Sequence, residues 1–154
     1  MKVLLVIGSP HQKGCTYTAL SEVALTLNEE GIDTDYFWIG NKPIGGCIGC
    51  YQCGKKQKCV FDDKVNEFTA LAADYDGFVF GSPVYYSPVA TSRYWNMVHG
   101  NTPEEVKQDE EGLQIMRYLG RNMAWLLKLK KAGNQNGVAL PEQEETRFAT
   151  NFIR

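Results

Sequence analysis

The sequence predicts an α/β domain in which a parallel sheet is wound by helices on both faces. Three observations carry this expectation. The stretch KVLLVIG, Lys2 to Gly8, is continuously apolar and rich in β-branched residues, as a strand covered on both faces must be. Strand-like and helix-like patterns then alternate as far as Gly81, with each apolar strand running into a loop at its C-terminal end. At 154 residues and 44% hydrophobic, the chain is sized for one domain with a core of its own.

After KVLLVIG and a Gly/Pro loop, TYTALSEVALTLNEEG places Ala19, Leu20, Val23, Ala24 and Leu27 at helical spacing, and Gly31 offers a C-cap. TDYFWIG predicts a second strand. DDKVNEFTALAADYDG predicts a second helix with Val65, Phe68, Leu71 and Ala72 on one side, and GFVFGSPVYY a third strand. The C-terminal third is helical from NTPEEV onward: Thr102 caps, Pro103 suits the first helical position, and Glu105 completes a capping box. Leu113, Met116, Leu119, Met123, Leu126 and Leu127 recur at steps of three and four as a core-facing stripe. Residues 1–133 form the domain on this reading, and 134–154 a loose tail that packs on a neighbouring subunit. One stretch does not fit. VATSRYW looks like another strand, yet it follows the third with only a few residues between, whereas a parallel neighbour needs a crossover of about a dozen or more.

The formal net charge of -2 supplies no basic face to track a nucleic-acid backbone. The apolar run at the start is too short for a membrane span or a signal-peptide core, so the expectation is a soluble cytoplasmic protein without a membrane partner. In reducing cytosol clustered cysteines bind metal or do redox work more often than they form structural disulfides.

Two loops then fall on one edge of the sheet. GSPHQKGCTYT, Gly8 to Thr18, joins the first strand to the first helix, where backbone amides and the helix dipole converge; Ser9, Thr16 and Thr18 add hydroxyls, and His11, Gly14 and the Cys15 amide lie in the same turn. That composition suits a phosphate. It lacks the Gly-Lys-Ser/Thr of a Walker A loop and the G-x-G-x-x-G of a dinucleotide fingerprint, and matches loops that hold the phosphate of FMN in flavodoxin-like folds. GSPVYY, at the end of the third strand, brings Pro83, Val84, Tyr85 and Tyr86, whose backbone and rings can hold a flat heterocycle such as an isoalloxazine. Together the loops bracket one phosphorylated aromatic ligand. Cys15 sits at a helix N-terminus, but its amide, not its thiol, is the expected contact; His99 supports the turn before the long helix, and Tyr94, Trp95 and Asn96, which could line a pocket, are expected to close the core.

The remaining cysteines form CIGCYQCGKKQKC, with Cys47, Cys50, Cys53 and Cys59 in a C-x2-C-x2-C-x5-C spacing. Structural zinc sites usually draw cysteine pairs from separate knuckles, whereas consecutive two-residue gaps wrap one cluster, so the spacing favours [4Fe–4S] over zinc. A redox disulfide and thiols without a ligand stay open. Gly45, Gly46, Gly49 and Gly54 supply tight turns, and the proline that often follows the last ligand is absent, since Val60 follows Cys59.

GSPHQKGCT, CIGCYQCGKKQKCVFDD, FVFGSPVYY and YWNMVHGNTPEEVKQDEEG together resemble the NADPH-dependent FMN reductase and iron–sulfur flavoprotein branch of the flavodoxin-like superfamily, over nearly the whole chain. The resemblance implies a flavodoxin-like sheet of order 2-1-3-4-5, FMN, and a [4Fe–4S] cluster on Cys47, Cys50, Cys53 and Cys59. It also implies a homodimer or homotetramer in which the cysteine segment approaches a neighbour's flavin. Family members carry a further strand, helix and loop where this chain is short, so roughly 40 to 50 residues, more than one βα unit, are missing after about Tyr86. A deletion there would remove a central strand, which favours a segment left out of the sequence. The function so implied is electron transfer between NAD(P)H or a ferredoxin-like donor and a small acceptor, with a small-molecule or protein redox partner and no side chain as general base or nucleophile. Rival readings are a non-enzymatic flavodoxin-like electron carrier and a zinc-stabilised nucleotide-binding module.

Overall fold

A computed structural model describes residues 1–83 and 96–139. Along the chain these form β1 (Lys2–Ile7), α1 (Cys15–Glu29), β2 (Asp33–Trp38), α2 (Gln52–Lys56), α3 (Lys64–Ala72), β3 (Gly77–Gly81), α4 (Pro103–Val106) and α5 (Glu110–Gln135). The strands build a parallel sheet of order β2-β1-β3, with Val3 opposite both Thr34 and Gly77. This is the 2-1-3 part of the expected order. VATSRYW lies outside the described residues, and among those described β3 is an edge strand.

Alternation along β1 separates the two faces. Val3, Leu5 and Ile7 point to α1 and α5, where they pack with Leu20, Val23, Leu27 and Met116. Leu4 and Val6 point the other way, to Phe37, Phe68 of α3 and Phe78. Helices therefore cover both faces, and all of β1 from Val3 to Ile7 is buried.

Helix α1 runs as its pattern predicts and ends in a Schellman motif. Gly31, at φ 77°, donates to the Asn28 carbonyl and Ile32 to the Leu27 carbonyl, at 3.0 and 2.9 Å, and the side chains of Leu27 and Ile32 share the core. Asp63 caps α3 by accepting from Val65 N at 3.0 Å.

The C-terminal third differs from expectation in its detail. It is split: Thr102 caps only the short α4, through Glu105 N at 3.2 Å, and the Glu105 carboxylate turns back to Asn101 N and not to Thr102 N. A second start follows at Asp109, which accepts from Gly112 N at 3.0 Å and opens α5. Finally, Leu126 is 59% exposed, because the buried stripe of α5 runs through Ile115, Met116, Gly120, Ala124 and Leu127. Small residues matter there: a Cβ on Gly120 would lie 2.9 Å from Thr26 Cβ, so glycine lets α5 lie close on α1. α5 continues through Gln135, past the expected start of the tail at Asn134, and residues 140–154 lie outside those described.

Candidate functional site

The C-terminal edge of the sheet is where β1 and β3 release their loops, and two glycines let those loops meet. Gly8 N donates to the Gly81 carbonyl at 2.7 Å, and a Cβ on Gly8 would come within 2.9 Å of that same oxygen. A Cβ on Gly81 would meet Thr16 Cγ2 and Leu20 Cδ1 at 2.9 Å, so β3 touches the first turn of α1 only because it ends in glycine. The expected bracketing by the two loops thus rests on backbone contact between them.

Within the first loop, Ser9 is buried; its hydroxyl accepts from His11 N at 3.2 Å, and its carbonyl accepts from Trp38 Nε1 at 2.8 Å. Trp38, at the end of β2, is a brace the sequence reading missed. Gly14 N donates to the His11 carbonyl at 3.3 Å and leads into α1 as its N-cap, with no side chain capping the helix. Among the described residues the first-turn amides of α1 therefore lack a side-chain cap, and no acidic side chain in that turn offsets the positive end of the helix dipole.

These groups open onto a cavity of about 1470 Å³. Its walls are Ser9 to Thr16, the end of β3 as far as Pro83, and the segment Asn96 to Asn101, with Met116, Leu119 and Met123 below. Thr16 faces it. Thr18 does not: its hydroxyl donates to the Gly14 carbonyl one turn back, at 3.2 Å, as threonines inside a helix commonly do. Val84, Tyr85 and Tyr86 lie outside the described residues. Asn96, for which the sequence reading preferred core closure to a pocket wall, lines the cavity with a buried Oδ1 that has no hydrogen-bond partner among the described residues. His99 supports the turn as expected, its N–H donating to Asp109 Oδ2 at 2.6 Å.

The cysteine segment leaves β2 and returns at α3. All five cysteines are free thiols; Cys47, Cys50 and Cys53 are exposed and Cys59 is half-buried. Cys53 lies in α2, a single short helix flanked by Tyr51 and Gln57 at positive φ, a break the sequence did not announce. Among the described residues no group of three or more His, Cys, Asp or Glu side chains converges to hold a metal ion. The thiols therefore share a loop without forming a ligand set in this structure. On the opposite face of the sheet a smaller cavity of about 290 Å³ is almost wholly apolar, walled by Phe37, Ile44, Phe68 and Phe80.

The model of the NADPH-dependent FMN reductase family matches residues 1–92, which span both loops and the cysteine segment. The chain belongs to that family. Its fold is accordingly flavodoxin-like. An iron–sulfur flavoprotein of Methanosarcina thermophila is 33% identical over 147 residues, which cover 95% of this chain and 69% of the relative. One of Methanocaldococcus jannaschii is 37% identical over 90 residues, 58% of this chain and 47% of that protein. One of Clostridioides difficile is 32% identical over 92 residues, 58% of this chain and 41% of the relative. The chain thus spans under half the length of several relatives it matches. No solved structure matches it. Among the described residues no helix is long and apolar enough to cross a membrane.

Proposed function

We propose that the chain binds FMN at the N-terminus of α1 and acts as an oxidoreductase that moves electrons between NAD(P)H or a ferredoxin-like donor and a small acceptor. The observation that carries the reading is the uncapped start of α1, opening beside buried Ser9 into a cavity that also holds Asn96 Oδ1, which has no partner among the described residues. A phosphate dianion would satisfy the first, and a flavin, which carries an N–H, the second. When bound, FMN supplies the one- and two-electron chemistry. The chain's own part is placement. The amides of Cys15 and Thr16 and the hydroxyls of Ser9 and Thr16 hold the phosphate, with Gly14 shaping the turn through its bond to the His11 carbonyl and His11 at the mouth; the end of β3 and Pro83, followed by Val84, Tyr85 and Tyr86, receive the ring.

The relatives bear the name iron–sulfur flavoprotein. Four free thiols on one loop have the donor chemistry for a [4Fe–4S] cluster, and we assign Cys47, Cys50, Cys53 and Cys59 as its ligands, brought together on loading. The free thiols accord with a reducing, cytoplasmic setting. A homodimer or homotetramer, with a small-molecule or protein redox partner, completes the proposal.

Anaerobic purification followed by an absorbance spectrum, FMN titration and iron and sulfide assays tests both halves. Flavin bands with a broad thiolate-to-iron shoulder are expected. Flavin without iron or sulfide would remove the cluster, and no uptake of micromolar FMN would remove the function.

A further inference from the structure

We propose that Asp63 and Asn66, at the start of α3, are positioning residues that clamp both ends of the cysteine segment. The segment has its near end at Gly45, whose N–H donates to Asp63 Oδ2 at 3.2 Å while the other carboxylate oxygen caps α3. Its far end is held more firmly. Cys59 N donates to Asn66 Oδ1 at 2.8 Å, and Asn66 Nδ2 donates to the carbonyls of Cys59 at 3.3 Å and of Phe61 at 2.8 Å. One carboxamide thus takes up both backbone groups of the last cysteine. The Phe61 ring also packs against Gly45, within 3.1 Å of where a Cβ would stand, so the two ends touch each other.

The clamp stands on a firm base. Phe68, one turn beyond the start of α3, packs its ring against Phe37 and Phe78 of the sheet, with centroids 5.7 and 5.5 Å away. Fixed in this way, Cys59 is half-buried at a set point, whereas Cys47, Cys50 and Cys53 lie exposed on the span between the clamped ends. That asymmetry assigns roles: Cys59 is the preset thiol, and the other three close upon it. The clamp itself is read from hydrogen bonds alone; its consequence for metal rests on the function proposed above.

The test uses the full chain, reduced and metal-free, with Asn66→Ala and the milder Asn66→Gln, which keeps the carboxamide but moves it out by one methylene. Alkylation by iodoacetamide is read cysteine by cysteine from peptide masses, and cobalt(II) binding from thiolate-to-cobalt absorbance. In Asn66→Ala, Cys59 should alkylate about tenfold faster, approaching Cys53, while Cys47, Cys50 and Cys53 keep their rates, and cobalt(II) should bind about tenfold more weakly. Asn66→Gln should fall between, which secures the result if the alanine variant does not fold. An unchanged Cys59 rate, or an equal rise at all four thiols, would overturn the clamp. A wild-type chain that gives no cobalt–thiolate band would instead sink the cluster assignment, with the alkylation rates still deciding the clamp.

Discussion

At the residue scale, the difference between Thr16 and Thr18 illustrates how a loop motif overstates its own site. Both hydroxyls look available in GSPHQKGCTYT, but Thr18 already donates to Gly14 and only Thr16 faces the cavity. Ser9→Ala and Thr16→Ala should therefore each weaken FMN by about 1 kcal/mol, a neutral hydrogen bond's worth, and by more if the phosphate makes it charge-assisted. Thr18→Ala should leave the affinity unchanged. Fluorescence titration of FMN against the three variants checks this, and an equal loss at all three would contradict the geometry. Gly8 makes a different prediction. Its alanine variant must displace the Gly81 carbonyl, a backbone atom with little room to move, at a cost of about 1–3 kcal/mol in urea unfolding.

At the element scale, caps and close approaches decide what periodicity leaves open. The heptad-like stripe through Leu113 to Leu127 located α5 but misassigned Leu126, because rotation about a helix axis is set by what the helix packs on. Here the small Gly120 and Ala124 face α1, and Leu126 turns outward. Two interhelical ion pairs flank that contact, Arg117 with Glu22 and Lys128 with Glu30, both at 2.5 Å. Asp109 is the better lever. Its carboxylate caps α5 through Gly112 N and ties down His99 N beside the cavity, so Asp109→Ala should cost about 1 kcal/mol or somewhat more in stability. Thermal unfolding checks it. Thr102→Ala, which uncaps only the four-residue α4, should cost less.

At the scale of the whole molecule, two carboxylates link stability to acid. The hydrogen bonds from Lys2 and Tyr75, at 2.6 and 2.7 Å, hold Asp35 below the usual carboxylate range. Burial works against the charge of Asp109, but the N–H groups of His99 and Gly112 outweigh it and hold that carboxyl low as well. A depressed folded-state value means stability that is present above the unfolded value of about 4 and is lost as pH falls through the folded one. Urea midpoints should thus decline below about pH 4, and Asp109→Asn should flatten the decline. Asp35→Asn should do so less, since Asp35 and Lys2 are 45% and 43% exposed and their attraction is screened by solvent. On the alkaline side Lys2 is raised by Asp35, so its contribution is complete below about pH 10 and fades above it. An acid limb identical in all three proteins would refute the linkage.

The parallel strands, the helix α1 with its glycine stop, the hydroxyl-bearing loop and the spacing of Cys47, Cys50, Cys53 and Cys59 were legible in the sequence by itself. Each is written in local chemistry: apolar runs, three-and-four periodicity, a φ that glycine tolerates, a count of residues between thiols. Tertiary structure alone decided that Gly8 meets Gly81, that Trp38 braces Ser9, that Asn96 lines the cavity, and that Asn66 grips Cys59. It also decided that, among the described residues, no three thiols of CIGCYQCGKKQKC converge. Those relations join residues far apart in sequence or depend on backbone turns such as Tyr51 and Gln57, where no side-chain pattern states the outcome. Packing selects among the arrangements that local preference allows, and its contacts exist only once the chain has folded.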